Sequence, residues 1–461
     1  MKTEINYELI NDMYISWLNE RDAFIQRKIK DDIKSKFSPY EFLMYCERYS
    51  SPFKTFRNIF PLCYLFETLK QMQKQGKDIS NFTHQSLLIE TPEEIRTVSN
   101  FAKREPSSEI NNFGLIFKGQ NIFEYGDIKS IGEKFPYAYA NNLSIQQVEQ
   151  MVKSGKDYKG IPITITIDNI SELPLEKLSY IEECFDVDGI KIVAKNRAAH
   201  NAHQGECTPL NLRAYKQIRN VVDNEILNNL YIDPNLNRMN IDLQLSAQIL
   251  DKLANKIEYD FDAAEKPRFS KESKMASGLV GLLTGKSICK GYSEILRNVL
   301  GCVGIDSVVI DGVVLDDNGE ERDHSWNLVK LGDFWLNVDL TNARENICAG
   351  KPTGNLFMSD MAFYDTRKKV TLEKGKQING KSMESTVMIG GHVKAYGTNN
   401  KQCKVNISPA LTSSLIQKSR LYAENYEKDS KNTNYKGIIP YVGSTIEQTR
   451  SSSKNISGII K

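Results

Sequence analysis

Two alternating segments, His324 to Leu331 and Phe334 to Thr341, are separated only by Gly332-Asp333. This spacing constrains the chain more than any other feature. Two strand patterns joined by two residues of this type fold back as an antiparallel hairpin. The turn then sets the register. Leu331 opposite Phe334 puts Trp326 opposite Asp339 and His324 opposite Thr341. Side chains alternate faces along a strand, so His324 and Asp339 become diagonal neighbours on one face. Diagonal Cα atoms lie roughly 7–8 Å apart, within reach of a carboxylate–imidazole hydrogen bond. A loop of odd length would break this parity. Ser307 to Val314 alternates into a further strand.

Upstream the period changes to that of a helix. Tyr292, Ile295, Leu296, Val299 and Leu300 recur at the spacing of one buried helical face. Gly285 and Lys286-Ser287 read as the preceding loop, with Ser287 available as a cap. Cys289 falls in the first turn. Unpaired backbone N–H groups and the positive end of the helix dipole stabilise a thiolate there. The same N–H groups supply part of an oxyanion hole; a second donor is not legible. A thiol at a helix start, an imidazole and a carboxylate on adjacent strands are the parts of a cysteine nucleophile site. Asp339 would hold one tautomer of His324 and aim its other nitrogen at Cys289. Taken singly, a cysteine is usually a small buried hydrophobe. The weight lies in the order and spacing of all three. Trp326 and Trp335 are read as core or site wall, with Trp326 and Tyr292 as candidates for contact with substrate.

The run Thr284-Gly-Lys-Ser-Ile-Cys289-Lys-Gly-Tyr292, followed by His324-Ser-Trp-Asn and Asp339, resembles the transglutaminase-like superfamily. The resemblance spans roughly residues 238–345. It begins with a helix from Leu243 to Ile257 that leads into Glu258-Tyr259-Asp260. It implies an α+β, papain-like core in which a helix carrying Cys289 packs on antiparallel strands carrying His324 and Asp339. It also implies Cys289 as nucleophile, His324 as base and Asp339 as orienting carboxylate. Members include proteases, cross-linking acyltransferases, deamidases, peptide glycanases and inactive binding versions. The expected activity is cysteine-dependent amide hydrolysis, by a protease or a deamidase, because nothing in the sequence marks an amine-acceptor site. Alternatives are a protein-crosslinking acyltransferase and a catalytically silent interaction module; retention of all three residues speaks against the last. The polar stretch from Asp262 to Ser277 departs from the pattern and is expected as an exposed loop.

The chain has 461 residues, enough for several domains. Residues 1–75 read as helical, with one stripe at Met13, Trp17 and Leu18 and another at Leu62, Leu65, Phe66 and Leu69. Residues 76–225 read as an α/β domain without an assigned role. Its strand candidates are Ser86 to Ile89, Gly114 to Phe117, Ile161 to Ile167 and Gly189 to Val193. Helical patterns between them suggest parallel pairing. No Gly-rich phosphate loop follows any of them. The catalytic domain is expected at 226–375, a β-containing extension at 376–426 around Val387 to Tyr396, and a flexible tail at 427–461.

Sixty basic and 58 acidic residues leave a net charge of +2, so no basic field points to nucleic acid. No run is long and apolar enough for a membrane span. Met1 to Leu18 carries Lys2, Glu4, Glu8 and Asp12 and lacks the apolar core of a secretory signal. Eight scattered cysteines fit reduced thiols. A cytoplasmic protein is therefore expected, and signal-independent export would look the same. The expected partner is a protein or peptide substrate, with no cofactor and no metal. His200-Asn201-Ala202-His203 with Cys207 lacks the further ligands of a zinc site and reads as a polar loop. Asp316 to Glu321 lacks the order of a calcium loop and reads as a turn.

Overall fold

The structure, a computed structural model, describes residues 5–49, 51–83, 85–104, 109–195, 209–228, 230–232, 236–267, 270–315, 321–332, 334–358, 387–389, 392–394, 407–429 and 439–440. It is a mixture of helices and strands, and the chain divides into two compact units.

The first unit comprises Met1–Ile165 and Tyr180–Lys191. It opens with helices Tyr7–Asn19, Ala23–Lys36, Pro39–Cys46, Pro52–Ile59 and Leu62–Lys74. Leu62, Leu65, Phe66 and Leu69 are buried along one face, as their spacing predicts. The stripe expected at Met13, Trp17 and Leu18 is displaced. The first helix instead buries Ile10 and Tyr14, four residues apart, and leaves Leu18 exposed. Tyr14 sits in an aromatic cluster with Trp17, Phe42 and Tyr45, which fixes that face inward.

Strands β1 (Ser86–Ile89), β2 (Gly114–Lys118), β3 (Tyr139–Ser144), β4 (Ile163–Ile167) and β5 (Ile190–Ala194) follow one another in chain order within one sheet. The β1–β2 and β2–β3 pairs are parallel, in keeping with the helical connections between them. Strand β3 is absent from the sequence reading. Its Tyr-Ala-Asn-Asn-Leu-Ser run has few strand formers, and Asn142 adopts a positive φ of 57°.

The second unit comprises Thr166–Ser179 and Ile192–Lys461. Here the short strand β6 (Leu210–Asn211) leads into the helix Leu212–Val221, which Asn211 caps. Strand β7 (Tyr231–Ile232) precedes the long helix Arg238–Lys256. That helix is buried along most of its circumference, through Ile241, Leu245, Ile249, Leu250 and Leu253 among others, so it is an interior element. Strands β8 (Glu258–Tyr259) and β9 (Lys286–Ser287) pair in parallel. Between them, the stretch expected as an exposed loop contains two short helices, Phe261–Ala264 and Lys271–Ala276. The side chains of Asp260 and Ser270 cap their first turns.

The helix Cys289–Cys302 buries Tyr292, Ile295, Leu296, Val299 and Leu300. It packs against an antiparallel sheet of β10 (Ser307–Leu315), β11 (Glu321–Leu331) and β12 (Phe334–Val338). Leu331 pairs with Phe334 and Val329 with Leu336, the register that the two-residue turn dictates. Gly332 takes a φ of +59° at that turn, a conformation that favours glycine. The last strand is shorter than its alternation suggests. It stops at Val338, and Asp339 becomes the N-cap of the helix Leu340–Cys348.

Further on, Val387–Ile389 and His392–Lys394 form an antiparallel pair within the segment expected to contain β structure. A helix, Pro409–Asp429, lies beyond it. Arg420 on this helix donates from Nε to Asp251 Oδ2 at 3.0 Å and from Nη2 to the Ile347 carbonyl at 3.0 Å. Ile439–Pro440, in the stretch read as a tail, pairs with β7.

Candidate active site

Cys289 is the first residue of its helix and is half-buried. The approach to it is tightly built. Gly285 ends the short helix Gly281–Thr284 with a φ of +72°, and β9 then pairs with β8. Ser287 does not cap the Cys289 helix. Its hydroxyl is buried and donates to the Ala276 carbonyl at 2.7 Å, while the N-cap is Ile288, whose side chain accepts nothing. The start of the helix is thus left without a side-chain cap at the position of the thiol. Gly291 is demanded by close approach. A Cβ there would meet Ser287 Oγ at 2.0 Å and the Ala276 carbonyl oxygen at 2.2 Å.

His324 lies on β11 and Asp339 just past β12. His324 Nε2 and Asp339 Oδ2 are 2.8 Å apart, and both residues are buried. Asp339 is fully enclosed. Its Oδ1 accepts from the Asn342 backbone N–H at 3.1 Å, its Oδ2 from Asn342 Nδ2 at 2.9 Å, and its own N–H donates to the Asn355 carbonyl at 2.8 Å. The Cys289 thiol lies close enough to the His324 ring to favour its charged form. With Nε2 held by Asp339, Nδ1 is the ring nitrogen left to exchange a proton with a thiol. Burial opposes charge on the ring. The charge and hydrogen bond of Asp339, followed by the nearby Cys289, outweigh it and raise the His324 pKa to about 10.

The two aromatic candidates are both enclosed. Trp326 stacks on His324 with centroids 6.3 Å apart, and its Nε1 donates to Asn337 Oδ1 at 3.0 Å. Tyr292 donates its hydroxyl to the Ile257 carbonyl at 2.6 Å. Each is 1% exposed, so the contacts in place are with the protein itself. Trp335 is partly buried beside Lys330.

Three neighbours escape the sequence reading. Asn342 occupies both Asp339 oxygens; its only advance signal is its position three residues after a capping aspartate. Tyr259 stands close enough to the site to feel it. Burial first, then the charges of Cys289, Asp260 and Asp339, push its hydroxyl up to about 12. Lys290 binds Asp311 at 2.9 Å across a separation with no pattern in the sequence.

Among the described residues no group of three or more His, Cys, Asp or Glu side chains is arranged to hold a metal ion. His200, His203 and Cys207 lie outside the described residues, as do positions 316–320. Among the described residues no helix is long and apolar enough to cross a membrane.

No protein-family model matches the chain, and no curated protein matches it. A solved structure described as the crystal structure of a TGase is similar to it at 16% identity and a TM-score of 0.19. The similarity covers 30% of this chain and 40% of that one. The chain therefore spans well under two thirds of that structure's length.

Proposed function

We propose that the chain is a cysteine-dependent amide hydrolase of the transglutaminase-like superfamily, with its catalytic residues on a papain-like core. The observation that supports this reading is the imidazole of His324, held by the buried Asp339 carboxylate at 2.8 Å and near enough to Cys289, at its helix start, to be influenced by the thiol.

The chemistry follows from that arrangement. The Cys289 thiol gives its proton to His324, the sulfur attacks the amide carbon, and the carbonyl electrons move to its oxygen. The uncapped first turn of the helix offers backbone N–H groups to this oxyanion. As the C–N bond breaks, imidazolium gives its proton to the leaving nitrogen, and a thioester remains on Cys289. His324, now neutral, takes a proton from water as the water oxygen attacks the thioester. Carboxylic acid leaves and the thiol–imidazole pair is restored. Asp339 keeps the ring in one orientation and stabilises its charged form throughout. A protein or peptide with an accessible amide is the substrate class, and the reaction needs no redox or metal step.

The test is mass spectrometry of candidate proteins incubated with wild type and with Cys289→Ala, scoring cleavage, deamidation and cross-links together. Products of water addition that vanish in Cys289→Ala support hydrolysis. Cross-links alone would make the protein an acyltransferase. Products that persist in Cys289→Ala would remove the thiol from the mechanism.

A further inference from the structure

We propose that Lys290 is a positioning residue: its ion pair with Asp311 on β10 links the first turn of the Cys289 helix, through Ser325, to the neighbouring strand that carries His324. The inference rests on the triad proposed above. Lys290 directly follows the thiol, and its Nζ lies 3.1 and 2.9 Å from the two Asp311 oxygens. Asp311 sits on β10 directly opposite Ser325 on β11. Ser325 directly follows His324 and donates its hydroxyl to Asp311 Oδ1 at 2.6 Å. The residues that directly follow the nucleophile and the base thus bind the same carboxylate.

This pair differs from an ordinary surface salt bridge, which gains little because two solvated side chains must be ordered. Lys290 and Asp311 side chains are each 20% exposed. Lys290 Nζ also lies 3.6 Å from Oε1 of Glu294, which is fully buried. Glu294 is in turn held by Arg297 Nε at 3.0 Å, so the ammonium group meets a fixed anionic surface. The tie also acts at a helix start that has no side-chain cap, since the N-cap is Ile288. Sulfur–imidazole contact is sensitive to such a restraint. A displacement of about 1 Å between reacting groups can cost on the order of 10²-fold in rate.

The experiment follows iodoacetamide modification of the Cys289 peptide by mass spectrometry in the full-length chain from pH 5 to pH 10. Wild type, His324→Ala, Lys290→Met, Lys290→Arg and Asp311→Asn are compared, with a thermal melt for each. Lys290→Met is expected to slow neutral-pH modification by about tenfold or more and to move the pH profile toward that of His324→Ala. Lys290→Arg, which can also engage a carboxylate, should recover most of the rate. Asp311→Asn keeps the Lys290 charge and an acceptor for Ser325, so a loss there reports position rather than the field of the ammonium group. A wild-type profile in both Lys290→Met and Asp311→Asn overturns the proposal, as does a loss that only tracks the melt and is not recovered by arginine. If His324→Ala itself leaves the profile unchanged, the triad falls and this inference with it. If His324→Ala slows modification and the Lys290 and Asp311 variants do not, only the positioning role falls.

Discussion

His324 and Asp339 are fifteen residues apart in the chain and 2.8 Å apart in space, Nε2 to Oδ2. The carboxylate that meets the imidazole also caps a helix, because its other oxygen accepts from the Asn342 N–H. One side chain therefore joins the end of a strand, the start of a helix and the ring of the proposed base. The cap fixes the carboxylate, and the fixed carboxylate fixes the ring.

Asp339→Asn separates these duties. Asparagine is as good a cap as aspartate, so the helix start should survive and the thermal melt should shift little. The amide removes the charge that stabilises imidazolium and can favour the wrong tautomer. The equivalent change in a serine triad costs about 10⁴ in turnover. With imidazolium already favoured beside the thiol, a loss on the order of 10²–10³ is expected here. Turnover on the amide substrate and the melt are measured together. Full activity, or a loss explained by unfolding, would reduce the site to a Cys–His dyad.

Stability should depend on pH through His324. Its pKa is about 10 in the folded chain, against about 6.5 in an unfolded one. The folded state therefore holds the proton more tightly. The stabilisation is complete below about pH 6.5 and is lost as pH rises through about 10. Urea unfolding at pH 6, 8 and 10 should show wild type losing its advantage over His324→Gln across this window. An advantage that stays constant, or grows with pH, would contradict the assigned sign.

Gly291→Ala should be among the more damaging small substitutions in this unit. The new methyl group would overlap Ser287 Oγ and the Ala276 carbonyl. The hydroxyl can be removed, but the carbonyl belongs to the backbone. Overpacking of this kind typically costs about 1–3 kcal/mol, and occasionally more. Adding Ser287→Gly should recover only part of the loss, because the carbonyl contact remains. Urea midpoints for the single and double variants measure this, and complete recovery would show that the hydroxyl is the sole obstacle.

The hairpin register was legible because it rests on parity, which two turn residues determine. The helix start at Cys289 was legible from the apolar spacing that follows it. The end of β12 was not. Val338-Asp339-Leu340-Thr341 alternates as a strand would, and only the capping bond to Asn342 turns it into a helix start. Leu18 illustrates a different limit. It shares a pattern with Met13 and Trp17, yet the aromatic cluster around Tyr14 decides which face turns inward. Lys290 and Asp311 stand 21 residues apart on a helix and a strand, and no local period relates them. Contacts set by tertiary packing leave no such mark in one sequence.

Asn342 provides the sharpest test of whether orientation of the carboxylate matters in itself. Its side-chain amide donates to Asp339 Oδ2, the same oxygen that meets His324 Nε2. Asn342→Ala removes this second donor but keeps the backbone N–H that closes the cap on Oδ1. The helix should remain, since alanine is a good helix former. Oδ2 then loses the amide that steadies it against the ring, and the carboxylate is freer to turn away from His324. A neutral hydrogen bond is worth about 1 kcal/mol net, and bonds to charged groups about 1.5–3 kcal/mol. If that energy holds the reactive orientation, kcat should fall by about 10- to 100-fold with KM little changed, because Asn342 binds the carboxylate and not the substrate. Asn342→Gln should not restore the rate, since its amide is carried one methylene further out. Steady-state kinetics on the amide substrate reads both quantities. A change confined to KM, or an unchanged kcat with a lowered melt, would leave Asn342 as part of the helix cap and nothing more.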